Sequence, residues 1–141
     1  EDEDLFMAGF GLVSDSKFPD ILQGIFLNNV ENCFERAPPV YNPVFHFCGK
    51  ATPDAGTCPG DSGIPILIPG TRLMVGLNSF SDRPCETQTI DVYTRISTYS
   101  VWIQTMICDM SEEPPAICEE LSGDICLWQE IWNAVSGFFG I

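Results

Sequence analysis

This sequence predicts an all-β fold, a barrel or sandwich of about six short strands, followed by helix. Two observations carry that prediction. Up to Thr98 the apolar runs are short and bounded by glycine and proline; from Thr98 onward apolar residues recur at helical spacing.

The elements follow in order. "LFMAGFGLV" (5–13) is predicted to be a strand, and "DILQGIFL" (20–27) another. "APPVYNPVF" (37–45) carries too much proline for a helix and is expected to be a loop entering a strand that ends at Cys48. "ATPDAGTCPGDSG" (51–63) is expected to be loop throughout. "IPILI" and "RLMVGLNSF" flank Pro69-Gly70-Thr71 as a hairpin, and "IDVYTRIS" (90–97) is the last strand. "TYSVWIQTMIC" then suits a helix, with Tyr99, Trp102, Ile103, Met106 and Ile107 on one side, until "DMSEEPPA" breaks it. Beyond the break, Ile125, Trp128, Ile131, Trp132 and Val135 form a stripe suited to one or two amphipathic helices. That stripe serves either as core or as a docking face for another chain. The expected division is a domain over 1–107 and an acidic, helical extension over 108–141.

The totals narrow the function. A chain of 141 residues, 45% hydrophobic, has the size of one domain or of half a larger one. Its net charge of -14, from 20 acids against 6 bases, argues against nucleic acid and anionic membrane as partners. No apolar run approaches the roughly 18 residues of a membrane span. Seven cysteines point to a secreted, disulfide-bonded protein. No C-x-x-C pair supports a zinc site, and no metal or cofactor is expected. The odd cysteine count suggests a bond to a second chain, and the absence of an initiator methionine suggests a start at a processing cut.

Ser62 lies in "CPGDSGIP" (58–65). With it come "GFG" (9–11), Ser79-Phe80-Ser81, Cys85, "DVYTRI" (91–96) and "YSVWI" (99–103), in this order. The set resembles the C-terminal half of a chymotrypsin-like (trypsin-fold) serine endopeptidase, from Gly9 to about Met106. The resemblance implies a six-stranded antiparallel Greek-key barrel closed by a C-terminal helix. It also implies disulfides Cys33–Cys48 and Cys58–Cys85.

The same resemblance assigns roles. Ser62 is the expected nucleophile, and the backbone N–H groups of Gly60 and Ser62 the oxyanion hole. Asp61 is expected to pair with an amino terminus created by zymogen cleavage, or else to cap a turn. Gly56, Thr57 and Pro59 would border the substrate pocket, with Ser79, Phe80 and Ser81 along the edge where substrate adds as a strand. Gly56 stands at the pocket floor where trypsin-like members carry aspartate. Asp91 stands on the wall where glycine is usual, an arrangement similar to fiddler-crab-type collagenolytic proteases. A broad pocket that tolerates Arg or Lys follows; the alternative is that Asp91 is an exposed strand-edge acid.

The family's histidine and aspartate are missing. His46 is expected to be structural, and Asp54 and Asp82 are loop acids with no histidine to orient. The chain alone is therefore expected to be inactive, with a partner chain carrying the N-terminal barrel, possible disulfide linkage included. Cys118 and Cys126 are provisional partners, leaving Cys108 for that chain. Three departures stand against activity: Ile64 for a glycine, Ser81 for a glycine, and Leu67 and Ile68 where a disulfide usually anchors. Two classes of function fit: a secreted two-chain serine endopeptidase working through an acyl-enzyme, or a noncatalytic homologue acting as a binding, regulatory or toxin subunit.

Overall fold

The computed structural model describes residues 5–13, 17–31, 33, 40–51, 55–81, 85 and 90–118. Six strands appear: β1 Leu5–Gly9, β2 Gln23–Val30, β3 His46–Ala51, β4 Pro65–Leu67, β5 Met74–Ser81 and β6 Ile90–Arg95. They close an antiparallel barrel in the order β1-β2-β3-β6-β5-β4, with Phe6 of β1 opposite Leu67 of β4 sealing the ring. A 3-10 turn at Ile96–Tyr99 leads into helix α1, Ser100–Met110. Two compact units divide between Thr98 and Tyr99.

Alternation along the strands builds the core. Leu5 and Met7 of β1, Leu27 of β2, Phe47 and Ala51 of β3, Ile66 of β4 and Tyr93 of β6 form one buried cluster. Cross-strand pairs Leu5–Leu27, Leu27–Ala51 and Phe47–Tyr93 put these side chains on one face. The opposite face of β3 and β6 carries a second cluster, Cys33, Cys48 and Val92, against which Val30, Tyr41, Phe80 and Ile90 pack. Gly76 has a local reason to be glycine: a Cβ there would meet the Phe47 ring at 2.5 Å.

Several boundaries differ from the sequence expectation: β6 stops at Arg95 rather than Ser97, and α1 begins at Ser100 rather than Thr98. β1 stops at Gly9 rather than Val13, because the chain leaves the sheet there to bring the Gly11 N–H to Asp61. β2 starts at Gln23 and runs to Val30. β3 continues past Cys48 to Ala51, pairing with β2 as far as Leu27–Ala51. The hairpin around Pro69-Gly70-Thr71 forms as expected, with Gly70 at φ 73° and the Thr71 hydroxyl donating to the Ile68 carbonyl.

Cys33–Cys48 and Cys58–Cys85 are bonded. The expected Cys118–Cys126 pair is corrected, and so is the assignment of Cys108 to another chain: Cys108 bonds Cys118. Helix α1 ends at Met110, and the turn through Pro114-Pro115 is held by the Cys118 N–H on the Pro115 carbonyl. This returns Cys118 to a Cα separation of 5.5 Å from Cys108, well within disulfide reach. In α1 the expected apolar stripe is incompletely covered, Trp102 being 60% exposed. Cys126, the stripe Ile125–Val135 and the rest of the extension beyond Cys118 lie outside the described residues, as do residues 1–4, Asp54 and Asp82. Among the described residues no helix is long and apolar enough to cross a membrane.

Candidate active site

Ser62 is exposed on a tight turn between the 55–58 loop and β4. The turn is glycine-dependent on both sides, with Gly60 at φ 100° and Gly63 at φ 82°, conformations that other residues rarely adopt. Backbone bonds fix it further. The Asp61 N–H donates to the Cys58 carbonyl at 3.0 Å, the Ile64 N–H to the Asp61 carbonyl at 3.3 Å, and the Gly63 N–H to the Asn78 carbonyl at 2.8 Å.

Asp61 anchors the turn from below. Its side chain is buried, with Oδ1 accepting from the Gly11 N–H and Oδ2 from the Cys58 N–H, each at 2.9 Å. Gly11 is required at its position, because a Cβ there would lie within the Asp61 carboxylate. A cleft of about 280 Å³ runs beside this carboxylate, bordered by Gly9, Gly11, Gln23, Gly56 and Asp61.

The loops around the turn are tied together. Thr57 is buried, and its carbonyl accepts from the Cys85 N–H at 2.7 Å next to the Cys58–Cys85 bond. Pro59 is exposed, and its carbonyl accepts from the Leu12 N–H at 3.0 Å. Gly56 is half-buried on the cleft wall.

β5 supplies the edge. Its pairing with β4 reaches only to Leu77, whereas Phe80 and Ser81 continue to pair with Val92 and Asp91 of β6. Ser79 is exposed at a register shift between Asn78 and Phe80. Asn78 is still tied on this side, through its carbonyl to Gly63 and through its N–H to Ile64, and from Ser79 onward β5 has no β4 residue paired with it among the described residues.

Asp91 is fully buried, which excludes an exposed strand-edge acid. It pairs with Gly49 on one side and Ser81 on the other, and by alternation shares the inner face with Tyr93. Burial, with the Asp91 charge adding to it, pushes the Tyr93 phenol far above its ordinary range.

His46 stands at the start of β3, opposite Thr94 of β6. Its Nδ1 accepts from the Asn42 N–H at 3.0 Å, and its ring lies 5.4 Å edge-on from Phe80 and 5.9 Å from Tyr41. Burial lowers its pKa from the usual 6.5. Two of the three departures are absorbed by packing. Ile64 packs onto the inner cluster, and its Cδ1 fills the space a Cβ on Gly9 would take. Leu67 faces Phe6 across the seam, and Ile68 lines an apolar groove with Leu5.

Sequence reasoning missed Asn78. Its Nδ2 donates to the Asp61 carbonyl at 2.9 Å, and its N–H donates to the Ile64 carbonyl at 2.9 Å. The available clue was an asparagine directly after the apolar run Met74–Leu77, at a buried position where an amide needs a partner.

Fold and strand order together define a trypsin-like six-stranded barrel. The chain belongs to the trypsin family, whose model matches residues 1–103. It is similar to kallikrein-4 of Homo sapiens, 30% identical over 104 residues, covering 72% of this chain and 40% of that protein. Brachyurin of Leptuca pugilator is 36% identical over 103 residues, covering 70% of this chain and 44% of brachyurin. Among solved structures, the mouse serine protease neuropsin superposes with a TM-score of 0.61 at 29% identity, covering 74% of this chain and 48% of neuropsin. The chain thus spans less than half the length of each of these relatives.

Proposed function

We propose that this chain is the nucleophile-bearing half of a secreted two-chain serine endopeptidase. Ser62 attacks the scissile carbonyl to form an acyl-enzyme, and the Gly60 and Ser62 N–H groups stabilise the oxyanion. A partner chain carrying the other barrel brings the histidine base and its orienting aspartate. The observation that carries this reading is the turn itself: an exposed Ser62 between two positive-φ glycines, held by a buried Asp61 beside the β5 edge.

Further observations support the remaining roles. The sequence holds one histidine, and the Nδ1 of His46 is engaged by Asn42, so the base must come from elsewhere. The span of the relatives leaves room for a second barrel. An apolar groove of about 570 Å³, lined by Leu5, Phe47, Ile68, Leu73, Met74 and Ile96, offers it a face. The cleft beside Asp61 would take an amino terminus, whose charge suits the carboxylate. Buried Asp91 favours a pocket that accepts basic as well as apolar side chains. Three disulfides suit an extracellular location.

Labelling of the native protein with a fluorophosphonate tests the proposal. Modification at Ser62, abolished by prior denaturation, is expected. Absence of labelling at an excess that fully modifies trypsin would assign the chain to the noncatalytic class.

A further inference from the structure

Three consecutive backbone N–H groups after β1 tie that chain to the nucleophile turn and to itself. Gly11 donates to Asp61 Oδ1 at 2.9 Å, Leu12 to the Pro59 carbonyl at 3.0 Å, and Val13 to the Lys17 carbonyl at 3.0 Å. The last bond closes a short loop, and the residue after it, Phe18, lies over the turn. A Cβ built on Gly60 would stand 3.0 Å from Phe18 Cε1 and 3.2 Å from the Gly11 Cα. The edge of the Phe18 ring thus sits against the face of Gly60 from which any other residue's side chain would project. Phe18 is nonetheless 58% exposed, so burial in the core does not account for its position.

The unit held in this way is the Pro59–Gly60 peptide. In a trans peptide the carbonyl and the N–H point in opposite directions within one plane. Leu12 fixes the Pro59 oxygen and thereby the direction of the Gly60 N–H, the donor assigned above to the oxyanion. Glycine at φ 100° has an alternative, because it takes negative φ as readily, and that rotation turns the N–H away. A single neutral hydrogen bond is a weak lock against it. The Phe18 ring adds a steric lock, confining Gly60 against Gly11.

We infer that Phe18 is a positioning residue for peptide hydrolysis, its ring keeping the Gly60 N–H aimed at the oxyanion. The inference rests on the peptidase reading above. Phe18 acts through the peptide it covers, not on the reacting atoms. Negative charge on that oxygen develops only as the tetrahedral species forms, so a misaimed donor slows the chemical step and leaves substrate binding nearly intact.

The test uses the native protein with both barrels, a peptide amide substrate, and two inhibitors built on one peptide. One inhibitor ends in a boronic acid, whose boron takes the Ser62 oxygen as a fourth ligand and mimics the tetrahedral species. The other ends in a primary alcohol and binds without forming that adduct. Phe18→Ala should lower kcat roughly tenfold at nearly unchanged KM, less than the hundredfold or more expected when a donor is removed outright. Its affinity for the boronic acid should fall by a similar factor, while its affinity for the alcohol holds. Phe18→Tyr keeps the ring and should restore wild-type kcat and boronic-acid affinity. A merely structural role would weaken both inhibitors together. Unchanged kcat in Phe18→Ala, equal losses on the two inhibitors, or no rescue by tyrosine overturns the inference. If Phe18→Ala fails to fold, Phe18→Leu takes its place in the same comparison and is judged by the same selective loss. A wild type that neither labels at Ser62 nor cleaves sinks the peptidase reading and this inference with it; a cleaving wild type with unselective losses sinks only the inference.

Discussion

Replacing Asp61 by asparagine exchanges one oxygen for an NH2 group and should cost the protein a large share of its stability. Both carboxylate oxygens accept backbone N–H groups at 2.9 Å, a buried one from Gly11 and a partly buried one from Cys58. The amide fits the same volume but offers only one acceptor, so its NH2 must face one of these N–H donors. One charge-assisted bond disappears, about 1.5–3 kcal/mol, and one buried or partly buried N–H is left unmet, about 1–3 kcal/mol. A loss of about 3–5 kcal/mol follows, against a usual domain stability of about 5–15 kcal/mol. Urea unfolding of the native protein, followed by tryptophan fluorescence, should show a lower midpoint at unchanged slope. Gly11→Ala drives a Cβ into the same carboxylate and breaks the same bonds. The double variant should therefore lose much less than the sum of the two single losses. A loss below about 0.5 kcal/mol in Asp61→Asn, or additive losses in the pair, would refute the anchoring of the turn by this carboxylate.

Three further outcomes follow from single sites. Gly60→Ala forces a side chain onto φ 100° and brings a Cβ to 3.0 Å from Phe18; it should cost about 1–3 kcal/mol and slow fluorophosphonate labelling, both measurable on one preparation. Tyr93→Phe removes a buried hydroxyl that has no hydrogen-bond partner among the described residues, so the melting temperature should hold or rise; a drop worth more than about 1 kcal/mol would contradict the burial as described. Burial lowers the pKa of His46, so the unfolded chain takes up the proton first as pH falls below 6.5. The contribution is complete above pH 6.5 and is lost as pH falls from there through the lower folded-state pKa. His46→Asn keeps an acceptor for Asn42, and the difference in urea midpoint between pH 7.5 and pH 5 should be smaller than in the wild type.

How much was legible in the sequence differs by the range of the interaction. The six strands and helix α1 announced themselves through short apolar runs, glycine-proline punctuation and helical spacing, which are local. The Ser62 turn was legible because its glycines are local too. Where β1 stops was not, since Gly9 ends the strand for the sake of an acceptor fifty residues away. Asn78 was missed for the same reason: its partners, Asp61 and Tyr93, are set by cross-strand register, which no single stretch reveals. The Cys108–Cys118 bond depended on how tightly Pro114-Pro115 turns the chain back, and spacing alone does not determine connectivity.

Ile64 offers the sharpest test of whether the site has drifted from catalysis. As a β-branched residue two positions after Ser62 it reads as an obstruction. In the structure its side chain is half-buried, packs on the inner cluster and occupies the space over Gly9. If packing is its role, Ile64→Ala opens a gap beneath the turn and costs about 2 kcal/mol, at the low end for such truncations because the residue is only half-buried. The turn loosens, and Ser62 labels more slowly. If Ile64 instead shields the nucleophile, the same truncation uncovers Ser62 and labelling accelerates, whatever happens to stability. Measuring the labelling rate and the unfolding midpoint on one variant separates the two. Slower labelling with lower stability means that an unusual residue was accommodated without loss of the nucleophile; faster labelling means that it closed the site.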